Sequence, residues 1–298
     1  MPGPEHLLDP RTLARIDNYN LLARHVVEGF IAGLQRGLYH GFGSEFVQYR
    51  NYNRGDDLKY VDWKVYARLG RLLTKVFQEE TNCHCYLVVD TSASMGYAGA
   101  GRVTKLHYAK MLAACLAYLV NRQGDNVGLF AYADRLHREV KPGHRSGHVQ
   151  RLLAALAGLQ PGGTGDHQRV LTYLGEKFNR RGIIVMLSDF LEADTGLVRA
   201  LKHFRAAHHE VILFHLLDDD ELDLDLPGTV RFVDSESGAE VITAPTAVQP
   251  RYRAAVAEYL QTFRAECRRH EIDHELVRTS QALDGMLAAY LHRRESLR

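Results

Sequence analysis

Asp90-Thr91-Ser92-Ala93-Ser94 places a carboxylate and two hydroxyls at positions i, i+2 and i+4 of one short stretch. The residues before it, Cys85-Tyr86-Leu87-Val88-Val89, read as a buried strand with Asp90 as its last residue. Small oxygen donors at this spacing suit a hard divalent cation, Mg²⁺ first and Mn²⁺ second. A second apolar run, residues 183–187, ends in Ser188-Asp189. A third element, Pro161-Gly162-Gly163-Thr164-Gly165-Asp166, is a glycine loop ahead of an expected helix. Ligands of an open parallel sheet gather beyond the carboxyl ends of its strands. Asp90, Asp189 and the Thr164 loop are therefore expected at one edge. The candidate metal ligands are Asp90, Ser92, Ser94, Thr164 and Asp189. Two carboxylates balance a divalent ion, and neutral hydroxyls add donors without adding charge. The competing reading is local: Ser92 and Ser94 cap the turn that follows, and Asp189 caps a helix.

The elements that must position these residues follow from the pattern of apolar residues. From Cys83 onward strands and helices alternate. Strands are expected to Asp90 and over 126–132, 183–187, 210–217 and 272–277. Helices are expected over 103–122, 149–159, 168–178, 196–207, 251–270 and 281–293. Such alternation implies an α/β fold: a doubly wound, mainly parallel sheet with helices on both faces. Two short strands flanking Ser235-Glu236-Ser237-Gly238 read as a hairpin. The acidic run from Asp218 to Asp225 reads as a solvated loop. Ahead of the alternation lie a helix over 11–35 and an aromatic, charge-rich block with strands near 45–52 and 72–77. The composition changes near Thr81, which divides the chain into an N-terminal block (1–80) and the α/β domain (81–298).

Composition narrows the function classes. The 298 residues are 46% hydrophobic, enough for a sizeable core. The formal net charge is +1, so no global field draws the chain to nucleic acid or to an anionic membrane. The four cysteines, Cys83, Cys85, Cys115 and Cys267, lack a zinc-type second pair, and a reducing cytoplasm is the simplest setting. Met-Pro-Gly-Pro-Glu-His carries no secretory signal pattern, and the apolar run over 111–120 is too short to span a bilayer. His167, His208 and His209 lack partners at metal spacing and read as surface histidines. Arg293-Arg294 reads as a solvated helix end.

Placed at strand ends with the glycine loop, the five oxygen donors resemble the metal-ion-dependent adhesion site of von Willebrand factor A domains. The resemblance implies that Ser92 and Ser94 bind the ion directly, while Asp90, Thr164 and Asp189 do so directly or through water. It also implies one coordination position filled by an acidic residue of a partner. The N-terminal block resembles the signature of the bacterial family called domain of unknown function 58. The signature runs through Arg50, Tyr52, Gly55-Asp56, Asp62-Trp63, Ala67-Arg68 and Glu79-Glu80, with the Asp-Ser-Glu-Ser-Gly hairpin downstream. This resemblance implies a von Willebrand factor A-like fold, a MoxR-type AAA+ ATPase as partner and a chaperone-like or assembly role. Within the block, Arg50, Arg54 and Arg68 beside Asp56, Asp57, Asp62, Glu79 and Glu80 are expected to form an ion-pair network. Tyr49, Tyr52, Trp63 and Arg68 are the candidate partner-binding residues, because such side chains concentrate binding energy.

The expected function is a non-enzymatic, metal-dependent protein-binding module. The alternative is a Mg²⁺-dependent phosphohydrolase using Asp90 as nucleophile. Against it, Ser92 stands where such enzymes place a second carboxylate, and no lysine occupies an obvious phosphate-clamping place.

Overall fold

The computed structural model describes residues 18–35, 48–51, 63–76, 83–191 and 195–296. In chain order the elements are α1 (Tyr19–Gln35), β1 (Gln48–Asn51), α2 (Trp63–Leu69), β2 (Leu73–Val76), β3 (His84–Asp90), α3 (Lys105–Arg122), β4 (Asn126–Tyr132) and β5 (Leu136–Gly143). They continue with α4 (His148–Ala157), α5 (His167–Lys177), β6 (Gly182–Ser188), α6 (Thr195–Ala206), β7 (Glu210–Leu217) and α7 (Asp219–Asp223). The hairpin β8 (Val230–Val233) and β9 (Glu240–Thr243) precedes α8 (Pro245–Arg269), β10 (Asp273–Arg278) and α9 (Leu283–Ser296).

Six strands make one sheet in the order β10-β7-β6-β3-β4-β5, parallel except for β5. The strand interiors are continuous apolar runs because both faces are covered. Leu87, Val89, Leu129 and Leu187 point to one face, where α1, α3, α4 and α9 pack. Val88, Phe130, Met186 and Leu213 point to the other, under α5, α6 and α8. Full burial of each such side chain contributes about 1.5–3 kcal/mol. The doubly wound, mainly parallel architecture is the expected one. Tyr19, Leu22 and Val26 of α1 are buried in the same cluster as α3, so this helix covers the first face.

The chain starts the sheet at β3, builds outward through β4 and β5, then returns to add β6, β7 and β10 on the other side. The strand order therefore reverses between β3 and β6, the place where such sheets open a crevice. Val89 pairs with Leu187 in register, so the strand ends bearing Asp90 and Ser188-Asp189 stand side by side.

One strand escaped the sequence reading. Leu136-His137-Arg138-Glu139-Val140-Lys141-Pro142-Gly143 forms β5, antiparallel at the sheet edge. Its charges and Pro142 are typical of an edge, where an unpaired amide side is tolerated. Gly128 of β4 accommodates it: a Cβ there would lie 2.9 Å from the Pro142 ring. The helix expected over 251–270 begins earlier, at Pro245, a residue suited to a first turn.

Of the N-terminal block, β1 and β2 pair antiparallel, Gln48 opposite Val76. Tyr52, Arg54, Asp56, Asp57, Asp62, Glu79 and Glu80 lie outside the described residues, and so does most of the expected ion-pair network. All four cysteines are free. Burial pushes the Cys85 and Cys267 thiols up to about 12, consistent with inert core residues. Among the described residues no helix is long and apolar enough to cross a membrane.

Candidate metal centre

The loop after β3 is fixed before any ligand is considered. Thr91 donates its amide to the Tyr132 carbonyl at 2.8 Å, and its hydroxyl meets that carbonyl at 2.8 Å and His137 Nε2 at 2.7 Å. Residues Ala93–Gly96 then make one 3₁₀ turn with Met95 buried beneath it. Ser92 precedes this turn but makes no side-chain capping bond. Its hydroxyl lies 3.1 Å from that of Ser94. The capping alternative therefore does not account for Ser92.

Asp90 is almost completely buried. Its Oδ1 accepts from the Ser92 amide at 2.8 Å and its Oδ2 from the Ser188 hydroxyl at 2.6 Å. Asp189 follows Ser188 and is equally buried. Its Oδ1 accepts from the Leu191 amide at 3.4 Å, and the nearby Ser94 hydroxyl helps to hold the carboxyl low. The glycine loop is zipped alongside: Gly162 donates to the Thr91 carbonyl at 2.8 Å, and Ala93 donates to the Gly163 carbonyl at 2.9 Å. Gly163 takes φ +78°, a conformation glycine adopts without strain.

A cavity of about 540 Å³ opens at this edge, lined by Asp90, Ser92, Ser94 and Asp189 among others. Four of the five expected ligands thus face one space. Thr164 is on the loop that borders it, but the loop presents Gly165 to the cavity while Thr164 is exposed.

Lys105 is the residue that sequence reasoning missed. Its side chain is 0% exposed, and its Nζ lies 2.7 Å from Asp189 Oδ2 and 2.5 Å from Glu221 Oε1. The sequence places no lysine at an obvious phosphate-clamping position, and Lys105 stands beside the site but is engaged by two carboxylates. A signal existed: Lys105 shares a helix face with Tyr108, Ala109 and Leu112, all fully buried. Such a position demands a buried partner for an ammonium.

Glu221 comes from the acidic run, which is likewise not a solvated loop. Asp218 is fully buried, caps α7 through a capping box, and pairs with Arg102 at 2.8 Å. Burial works to raise the Asp218 carboxyl, but the Arg102 guanidinium and backbone amides hold it below the usual range. His167 and His209 are also buried, against expectation. His167 Nδ1 meets the Tyr132 hydroxyl at 2.9 Å and lines the cavity, whereas His209 is enclosed by Tyr86, Phe178 and Phe204. Arg294 pairs with Glu210, and Arg293 with Glu275 at 2.7 Å, so this helix end is tied to the sheet. Of the candidate partner-binding residues, Trp63 and Arg68 are exposed on α2. Tyr49 belongs to β1, and Tyr52 lies outside the described residues.

The electrostatics separate the two aspartates. Burial pushes the Asp90 carboxyl up and the charge of Asp189 adds to this, against His167 and the bonds from Ser188 and Ser92. Burial also works to raise Asp189, but Lys105 outweighs it and holds that carboxyl low. Lys105 keeps its charge for the same reason, and Glu221 stays raised because burial exceeds its share of the ammonium. Asp90, Asp189 and Glu221 against Lys105 leave two negative charges on the strand-end side of the cavity when all are ionised, and Asp234 and Glu236 line the same space. A divalent cation balances that charge and removes the cost of ionised Asp90. Among the described residues no group of three or more His, Cys, Asp or Glu is arranged to hold a metal. An ion held here would therefore depend on the serine hydroxyls. That donor set, all oxygen and mostly neutral, fits Mg²⁺ or Mn²⁺ and not zinc.

The family described as "Protein of unknown function DUF58" matches residues 48–262. An uncharacterized protein of Mycobacterium tuberculosis is 29% identical over 266 residues, covering 88% of this chain and 81% of the relative. An uncharacterized protein of Mycobacterium bovis matches to the same extent. Among solved structures, the conserved hypothetical protein BatB from Bacteroides thetaiotaomicron aligns with TM-score 0.46 and 14% identity, over 72% of this chain and 99% of that one. A von Willebrand factor type A protein from Catenulispora acidiphila aligns with TM-score 0.38 and 19% identity, over 62% and 43%.

Proposed function

The chain belongs to the DUF58 family, and from that premise we propose that it is a non-enzymatic, divalent-metal-dependent protein-binding module. The observation that carries this reading is the convergence of Asp90, Ser92, Ser94 and Asp189 on one open cavity where the strand order reverses. These four residues, with Thr164 directly or through water, would hold Mg²⁺ or Mn²⁺. The bound ion supplies a Lewis-acid position for an incoming carboxylate. The residues of the chain do the rest. Asp90 and Asp189 set the charge, the two serines add donors without saturating it, and Lys105 keeps Asp189 ionised and aimed. A partner's Asp or Glu would complete the set.

We further propose a cytoplasmic MoxR-type AAA+ ATPase as the partner, in chaperone-like assembly or activation of client proteins. The proposal rests on the family resemblance. Its test is capture of a purified MoxR-type ATPase by the full chain. Capture is expected in Mg²⁺ and not in EDTA, and is expected to be lost in Asp90→Ala with the fold retained. Equal capture in EDTA overturns the metal bridge.

The phosphohydrolase alternative would use Lys105 as its phosphate clamp, since that lysine touches Asp189. The ammonium is fully buried and already shared by two carboxylates, which leaves it no path to a substrate. Turnover of generic phosphate esters that disappears in Asp90→Asn would reverse this choice.

A further inference from the structure

The β8–β9 hairpin reaches the candidate metal centre. Its tip residues Val233, Asp234, Ser235 and Glu236 line the same cavity as Asp90, Ser92, Ser94 and Asp189. The tip is a built turn. Asp234 donates its amide to the Ala239 carbonyl at 2.8 Å, and Gly238 donates to the Asp234 carbonyl at 2.9 Å. The Asp234 carboxylate accepts from the Glu236 amide at 2.8 Å and from the Ser237 hydroxyl at 2.6 Å. Gly238 takes φ +72° to close the turn. Asp234 is therefore committed to the turn, and Glu236 is the tip's other carboxylate.

Glu236 is directed inward. Its Oε2 accepts from the Gly165 amide at 3.2 Å. Gly165 belongs to the glycine loop, and a Cβ there would stand 3.8 Å from Ser92 Oγ and 3.9 Å from Glu236 Oε1. One glycine thus faces a hydroxyl of the candidate ligand set and the hairpin carboxylate. Bringing a further carboxylate to a site that already holds Asp90, Asp189, Glu221 and Asp234 against the single ammonium of Lys105 is electrostatically unfavourable unless a further cation is present.

We propose that Glu236 is the chain's own acidic ligand for the coordination position otherwise filled by a partner, and that an acidic partner binds by displacing the hairpin tip. This inference rests on the metal-site reading above. The hairpin then acts as a built-in competitor. Its far end, where Val241 and Ile242 are 61% and 68% exposed, is free of the cavity.

The test uses the full chain with Mn²⁺ as probe and acetate as a model carboxylate, read by water-proton relaxation. In Glu236→Ala, bound Mn²⁺ is expected to gain an inner-sphere water, so relaxivity rises, and its affinity falls at least about tenfold. Acetate then lowers relaxivity in the variant but not in wild type at the same concentration. Glu236→Gln keeps an acceptor for the Gly165 amide but loses the charge, and it is expected to respond to acetate as Glu236→Ala does. If both variants match wild type while Asp90→Asn abolishes Mn²⁺ binding, the metal site stands and Glu236 is only a loop cap. If wild type binds no Mn²⁺, the metal reading falls and this inference falls with it.

Discussion

Asp90 and Asp189 end neighbouring strands, are equally buried and face one cavity, yet the protein treats them oppositely. Asp189 has its counter-charge built in: Lys105 is carried on α3 and braced by Glu221 of α7. Among the described residues Asp90 has hydrogen bonds from Ser92 and Ser188 but no ion pair with lysine or arginine. Burying a carboxylate without a cation is costly, and the raised pKa of Asp90 expresses that cost. The difference separates a carboxylate whose charge is met inside the protein from one whose charge is not. Asp189 has an internal ion cluster that fixes its geometry while it still lines the cavity. The Asp90 side is where charge remains to be balanced.

The largest effect expected from this contrast is on the Asp189 side. Lys105→Met should destabilise the protein by about 3–5 kcal/mol, because Asp189 would be left buried, and Glu221 half-buried, without their ammonium. Urea denaturation measures it, and a loss below about 1 kcal/mol would show that the cluster does not hold the edge together.

Acid challenges the same side from behind. His215 and His274 meet at 3.1 Å beneath Phe263. Burial holds His215 down to about 3, helped by His274, and His274 down to about 4, helped by Arg264. The unfolded chain, with ordinary histidine values near 6.5, binds protons that the folded chain refuses. Stability is thus complete above about pH 6.5 and falls as pH drops toward 4, by up to about 1.4 kcal/mol per pH unit for each histidine. Replacing His274 with Gln should flatten that dependence. An unchanged slope would mean that the pair is hydrated.

Removal of charge on the Asp90 side should act the other way. Asp90→Asn in metal-free protein should leave stability unchanged or raise it by about 1 kcal/mol, since a buried, unpaired charge is deleted while the hydroxyl contacts can persist. In saturating Mg²⁺ wild type should gain about 2.7 kcal/mol at a hundredfold excess over Kd, and the variant nothing. Thermal melting in Mg²⁺ and in EDTA gives both numbers. A variant that still gains stability from Mg²⁺ would place the ion elsewhere.

The contrast also explains what the sequence revealed. The interiors of β3, β4, β6 and β7 were legible because strands covered on both faces are continuous apolar runs. Asp90, Ser92, Ser94 and Asp189 were legible because strand ends in a parallel sheet share an edge. The ion cluster was not, because its members lie far apart in sequence: Lys105 with Asp189, Arg102 with Asp218, Lys105 with Glu221. Acidic residues in a row read as solvated until their cations are located. The strand β5 was hidden by the charges and proline that suit an edge. Glu236 read only as a hairpin residue, because nothing local says where a hairpin tip will rest.

Titration of Mg²⁺ or Mn²⁺ into the full chain, paired with Asp90→Asn and followed by calorimetry, tests the central claim most directly. One site per chain in wild type, lost in a variant whose metal-free melting temperature is preserved or raised, is the predicted result. Equal binding by both proteins, or none by wild type, would contradict it.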